Sequence, residues 1–364
     1  MPFHRNEIAG PQATSMGIAG AVTLTFRSLK DDLANLRATA PPGVVDRAIV
    51  ALPDKSEQGQ NIYAIRIGKN PAMPLLIAGC HHAREWISVE VPYLIAEYLI
   101  QNYNADPQVR RIVDGSDIWI VPMINPDGHE HTVLNDRMWR KTFPTDPARK
   151  AVDPNRNYAT SLWNTPVGQF SDVETSELYR GPSAGYAKEV VAMQNLINSK
   201  QFKATLDYHS FGRFCLFPWA GRIGPHPDPK QDEMATTLKR VIDARGTTYR
   251  KLPGSALYRQ LMGISAAASV VPGGMMDYVV ENVPNSIAIT VELEPASGDP
   301  RGFALPESEI GPTFNLHRAS ILTFLNCIAT IRAAPPVRRL LLHQQAATDL
   351  LVFQRECWNA FSGY

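Results

Sequence analysis

Four cysteines in 364 residues (Cys80, Cys215, Cys327 and Cys357) are too few and too widely spaced to form a disulfide framework. Reduced, buried thiols are the expectation. Net charge is also scarce: 36 Lys and Arg stand against 35 Asp and Glu, a balance of +1. Such a chain has no electrostatic attraction for nucleic acid or for an anionic membrane. No uninterrupted apolar run approaches the roughly 18–20 residues that a membrane-spanning helix requires. Internal repeats and low-complexity tracts are missing too. The first residues lack the pattern of a secretory signal, because Gly17–Phe26 is only mildly apolar, is broken by Gly20 and follows the acidic Glu7. That absence favours the cytoplasm, and the oligomeric state is left open.

What is present describes a soluble globular protein. Hydrophobic residues make up 44% and charged residues 20%, enough for a sizeable core in one large domain or two modest ones. Strand-like runs fall at Ile62–Ile67, Leu75–Ala78, Asp117–Val121, Ala204–Tyr208, Cys215–Phe217 and Ile287–Leu293. Helical periodicity covers Ile87–Tyr103, Tyr186–Ser199, Asp232–Arg245 and Phe314–Ala333. Strands alternating with helices predict an α/β fold, a central sheet with helices on both faces. Residues 1–42 read as an N-terminal extension with a helical piece at Leu29–Thr39, and 43–334 as the main domain. Pro335-Pro336 then sets off 335–364, where Val337–Phe361 reads as an amphipathic helix. Asn125-Pro126-Asp127-Gly128 reads as a turn.

Chemistry concentrates at His82-Ala83-Arg84-Glu85, between a buried strand and a helix, and at the distant His209. Two imidazoles and one carboxylate are the ligand set of a hydrolytic zinc, which leaves a coordination position open for water. Taken alone, a histidine and a glutamate three positions apart arise often by chance. His81 competes for the role, since His81 and Glu85 are also spaced to share a helical face.

Further segments accompany this pair in order. They are Asn125-Pro126-Asp127-Gly128, Arg137-Met138-Trp139-Arg140-Lys141, Asp153-Pro154-Asn155-Arg156-Asn157, Ser176-Glu177-Leu178-Tyr179-Arg180-Gly181-Pro182 and Ile289-Thr290-Val291-Glu292-Leu293. Together with His82–Trp86 they resemble the zinc metallocarboxypeptidases of the carboxypeptidase A/B type, over residues 79–293. The resemblance implies a mixed central β-sheet and a catalytic domain at 43–334. It implies one Zn2+ per chain on His82, Glu85 and His209, with Glu292 as general base and proton shuttle. Arg140 would polarise the scissile carbonyl. Asn155 and Arg156 would grip the free C-terminal carboxylate of a peptide substrate, and Arg84 would contact the substrate further out. Asp153 would accept the free N–H of His82 or cap a turn.

Two positions depart from the family. Its mobile tyrosine has no counterpart just before Gly273-Gly274; Tyr258, ahead of an insertion, is the candidate. Met276 falls at the base of the specificity pocket, where an apolar residue implies preference for apolar or aromatic C-terminal residues. Two alternatives stay open. One is a zinc amidohydrolase acting on γ-glutamyl or peptidoglycan-type peptides or on N-acyl amino acids. The other is a non-catalytic binding protein on the same scaffold.

Overall fold

A computed structural model of the protein describes residues 3–5, 13–17, 20–24, 27–45 and 49–333, with side chains over 28–45 and 49–328. The helix expected at Val337–Phe361 and Cys357 lie outside the described residues. Short strands β1 (Phe3–Arg5) and β4 (Arg27–Ser28) pair with each other, as do β2 (Ala13–Gly17) and β3 (Gly20–Leu24). The main sheet is built from β5 (Val50–Lys55), β6 (Asn61–Gly68), β7 (Pro74–Gly79), β8 (Asp117–Val121), β9 (Ala204–Gly212), β10 (Phe214–Phe217), β11 (Arg250–Pro253) and β12 (Ile287–Ala296). Its eight strands run in the order β11-β10-β12-β9-β7-β8-β6-β5. The central four, β12, β9, β7 and β8, are mutually parallel. Antiparallel pairs β10–β12, β6–β8 and β5–β6 make the sheet mixed.

Around it lie α1 (Leu29–Thr39), α2 (Ile87–Asn102), α3 (Pro107–Gly115), α4 (Pro126–Leu134), α5 (Lys188–Lys200), α6 (Pro229–Asp243), α7 (Leu257–Met262), α8 (Ala266–Ser269), α9 (Met275–Asn282) and α10 (Ile310–Ala333). Alternation along the strands explains why both faces are covered. Leu75 and Ile77 join one apolar cluster with residues of α2, α6 and α10. Leu76 and Ala78 join a second, with residues of α5 and α9. Leu29, Leu33 and Leu36 of α1 are buried in the first cluster.

Three helices start on one local signal. Asp106-Pro107, Asn125-Pro126 and Asp228-Pro229 each place a side-chain acceptor at the cap and a proline in the first turn. The Asn125–Gly128 segment is therefore a helix start where a free turn was expected. Asn125 Oδ1 accepts from Gly128 N at 3.0 Å, so the chain coils onward into α4.

The parallel strands bring their carboxyl ends to one edge, the usual place for a ligand site in an open α/β sheet. Gly79 pairs with Tyr208 across β7 and β9, and His209 pairs with Glu292 across β9 and β12. At the end of β7 the start of α2 passes close by: a Cβ on Gly79 would lie 2.0 Å from the Ser88 carbonyl oxygen. Gly79→Ala should therefore destabilise the fold by about 1–3 kcal/mol or more. Urea denaturation checks this, and an unchanged midpoint would contradict the packing.

Candidate metal centre

His82 and Glu85 lie in the loop between β7 and α2. A turn bond from Glu85 N to His82 O (3.1 Å) brings their side chains to the same side. Ser88 locks the turn, donating to Glu85 O at 2.6 Å and accepting from Cys80 N at 3.0 Å. Neighbouring segments are tied to it through backbone. Ala83 N donates to Arg140 O at 3.0 Å, and Asn125 Nδ2 donates to both His81 O (3.1 Å) and Lys141 O (3.0 Å). Arg137 stacks 3.8 Å over Trp86 and donates to Arg84 O at 2.9 Å.

Three buried donor groups converge. His82 Nδ1 is 2.7 Å from Glu85 Oε1 and 3.1 Å from His209 Nδ1, which is itself 3.1 Å from Glu85 Oε2. The other ring nitrogens face carboxylates: His82 Nε2 meets Asp153 Oδ1 at 3.2 Å, and His209 Nε2 meets Asp207 Oδ2 at 3.0 Å. Burial and the Arg140 guanidinium push the His82 imidazole below its usual range. Burial opposes charge on His209 as well, but Asp207 and Glu85 outweigh it and hold that imidazole well above normal. Burial would likewise raise Glu85, yet the two histidines hold its carboxyl low.

His81 does not face Glu85; with Asp207 and His209 it forms a second buried group whose potential ligand atoms lie within 4.8 Å of one another. Its Nε2 lies 2.8 Å from Tyr158 Oη and its Nδ1 3.2 Å from Asp207 Oδ1, with its ring stacked on His209 at 5.1 Å. The competing His81–Glu85 pairing required a helix through both, and the segment is a turn.

Glu292 is partly buried beside His209, and its carboxylate takes no hydrogen bond from any described residue. Burial raises its carboxyl to about 8, with the His209 and Arg140 charges pulling the other way. Arg140 is buried and forks onto Asp153 Oδ2 through Nε (3.0 Å) and Nη2 (2.9 Å). Arg156 donates to Gln169 O (2.5 Å), Asn155 O (2.9 Å) and Tyr258 Oη (3.2 Å). A guanidinium has five N–H groups, so two of them remain for a ligand. Asn155 Oδ1 accepts from Met275 N at 3.0 Å, and its Nδ2 lies 3.2 Å from His209 Nε2. Met276 is buried against Thr290, whose Oγ1 is 3.7 Å from its sulfur. Arg84 is half-buried further out, paired with Glu177 at 2.9 Å and packed 4.3 Å over Phe303.

Residues 43–320 match the family model described as zinc carboxypeptidase. The chain belongs to the zinc carboxypeptidase family. Metallocarboxypeptidase A of Arthroderma otae is 30% identical over 287 residues, covering 75% of this chain and 64% of the relative. Carboxypeptidase B of Homo sapiens is 29% identical over 286 residues, covering 76% and 64%. The chain thus spans 64% of the length of these curated relatives. Bovine thrombin-activatable fibrinolysis inhibitor, solved in complex with tick carboxypeptidase inhibitor, aligns with TM-score 0.70 and 23% identity, over 84% of this chain and 97% of that one. At that identity the likeness shows a shared fold.

The donor set of this zinc carboxypeptidase family member fits the metal. Two imidazole nitrogens and the Glu85 carboxylate oxygens point at one another, close enough for one cation to take the place of the protons they share. Each of the two histidines is backed by a carboxylate, which fixes its tautomer and raises its basicity. Asp153 was expected behind His82. Asp207 behind His209 was not, although a residue two before a ligand on the same strand shares its face. Asp207→Asn should weaken zinc binding about 10–100-fold. Competition against a chelator of known affinity measures it, and unaltered affinity would remove Asp207 from this role.

Proposed function

We propose that this chain is a zinc-dependent metallocarboxypeptidase that hydrolyses the C-terminal peptide bond of peptides, preferring apolar or aromatic terminal residues. The reading is carried by the convergence of His82, Glu85 and His209 beside an unpaired Glu292, with the Arg156 guanidinium nearby. Zinc on those three residues supplies a Lewis-acid charge that brings the ionisation of water down to about pH 7. Glu292 accepts a proton from the attacking water and returns it to the departing amine. Arg140, fixed by Asp153, directs its charge at the oxygen where negative charge develops. Arg156 binds the terminal carboxylate with its remaining N–H groups; Asn155 and Tyr258 complete that clamp, and Arg84 contacts the substrate nearer the rim.

The apolar preference rests on the pocket base. Met276 belongs to the same buried apolar cluster as Ala220 and Val271, and Tyr258 packs against it. Asp277 is the acid closest in sequence, and its carboxylate is occupied by the backbone N–H groups of Ala220 (2.9 Å) and Gly221 (2.6 Å). Burial raises that carboxyl to about 6, against those two bonds. A C-terminal Lys or Arg would have no carboxylate to meet at Met276 and would bury its charge unpaired.

Two measurements test the proposal. Glu292→Gln should bind zinc as before while turnover falls about 10²–10⁴-fold; full activity would assign the base elsewhere. Mass spectrometry of matched peptides should show terminal Phe or Leu released at least about tenfold faster than Lys, and no cleavage of the amidated form. Faster loss of Lys would overturn the pocket reading, and cleavage of the amide would overturn the carboxylate clamp.

A further inference from the structure

Two residues beyond Glu292 on β12, Glu294 faces a different cavity of about 570 Å³, whose lining includes none of the metal-centre residues. Besides Glu294 and Glu309, its walls come from three segments: the loop after α6, the first turns of α10, and Arg213 at the crossing from β9 to β10. Arg213 has a left-handed backbone (φ 61°) and is held there by bonds from its N to Leu293 O (3.3 Å) and from Arg250 N to its O (2.9 Å). Its side chain is thus presented from a fixed frame.

The polar atoms of this cavity are under-used. Arg213 Nε, Thr247 Oγ1 and Thr313 Oγ1 are buried with no hydrogen-bond partner, and Thr313 is only 2% exposed. A buried hydroxyl without a partner costs free energy that a valine of the same shape would not. Arg245 is exposed and has no carboxylate within ion-pair distance among the described residues. The two acids in the lining are already answered. Glu294 is bonded to Tyr249 Oη (3.0 Å) and to His317 Nε2 (3.2 Å), while Glu309 is paired with Arg301 (2.9 Å). Arg213 Nε stands 3.5 Å from Glu294, an ion pair without a hydrogen bond. Two guanidiniums and two hydroxyls therefore converge on the cavity with donors to spare.

We propose that this cavity is a binding site for a tetrahedral oxyanion, a phosphate or sulfate group, held by Arg213 and Arg245 with Thr247 and Thr313 as hydroxyl donors. Donors arriving from three segments suit a tetrahedral anion better than a planar carboxylate. The space is several times that of the anion, so it also admits the body of a phosphate or sulfate ester.

Titration calorimetry of the zinc-loaded full chain with inorganic phosphate and with glucose 6-phosphate tests this. Arg245→Gln should weaken both probes about tenfold, with peptide hydrolysis unchanged. Thr313→Val should weaken them as well while raising the thermal midpoint, a combination that a purely structural threonine would not give. Tighter binding of the ester identifies an esterified ligand, and equal affinity identifies the free anion; either supports the site. Absence of binding overturns it. So does phosphate binding that survives Arg245→Gln and disappears with Arg156→Gln, because the anion would then sit in the substrate clamp.

Discussion

Asp153 is fully buried, and its carboxylate is the junction through which the functional side chains are oriented. One oxygen meets His82 Nε2 at 3.2 Å and accepts from Asn155 N at 3.0 Å. The other receives the Arg140 fork at 2.9–3.0 Å, with Arg156 Nη1 at 3.9 Å. Burial alone would drive such a group to take up a proton, but Arg140, Arg156 and His82 together hold it well below the usual carboxylate range. A buried charge is tolerable only when answered this completely, and taking away one partner costs about 3–5 kcal/mol. Both sequence-based expectations for Asp153, histidine partner and turn cap, are therefore met by one side chain.

The backbone frame makes that junction effective. Gly273, at φ +75°, passes so close to the clamp that a Cβ would lie 2.2 Å from Arg156 O. Tyr158 N donates to Gly273 O at 3.0 Å, and Met275 N donates to Asn155 Oδ1, so the Gly273–Met275 segment is tied to the turn that carries Asn155 and Arg156. The insertion between Tyr258 and Gly273 belongs to the same unit. Its Ala268 and Val270 carbonyls accept from Gln169 Nε2 (2.8 Å) and Gln169 N (2.7 Å), and Gln169 O in turn accepts from Arg156 Nε. A segment that looked like an interruption of the family pattern braces Arg156.

How much of this was legible depends on whether a residue's type or its surroundings carry the information. The proposed ligands His82, Glu85 and His209 stand out because few side chains bind a metal, and Glu292 because it is a carboxylate inside an otherwise apolar strand. The central strands β7, β8 and β9 announced themselves as apolar runs, since both faces of a parallel sheet are covered. Edge strands β5 and β11 gave no such signal; β5 has one buried position and β11 has one. Asn125-Pro126-Asp127-Gly128 was ambiguous for a different reason. A turn and a helix start make the same local demands, and only the packing of α4 decides between them. Asp207 could have been inferred from strand alternation, but its partner His81 could not. That pairing depends on β7 lying beside β9, a long-range fact absent from either segment.

The centre also bears on stability, because its geometry is costly without a cation. Glu85, Asp153 and Asp207 are all buried carboxylates, and two imidazole nitrogens stand 3.1 Å apart. Arg140 and Arg156 answer Asp153, but no guanidinium lies closer to Glu85 than the 3.9 Å contact from Arg140. A dication held by His82, Glu85 and His209 would more than offset the single negative charge that two arginines leave on three carboxylates. Metal binding and folding are then linked, and a ligand at a thousand times its dissociation constant stabilises by about 4 kcal/mol.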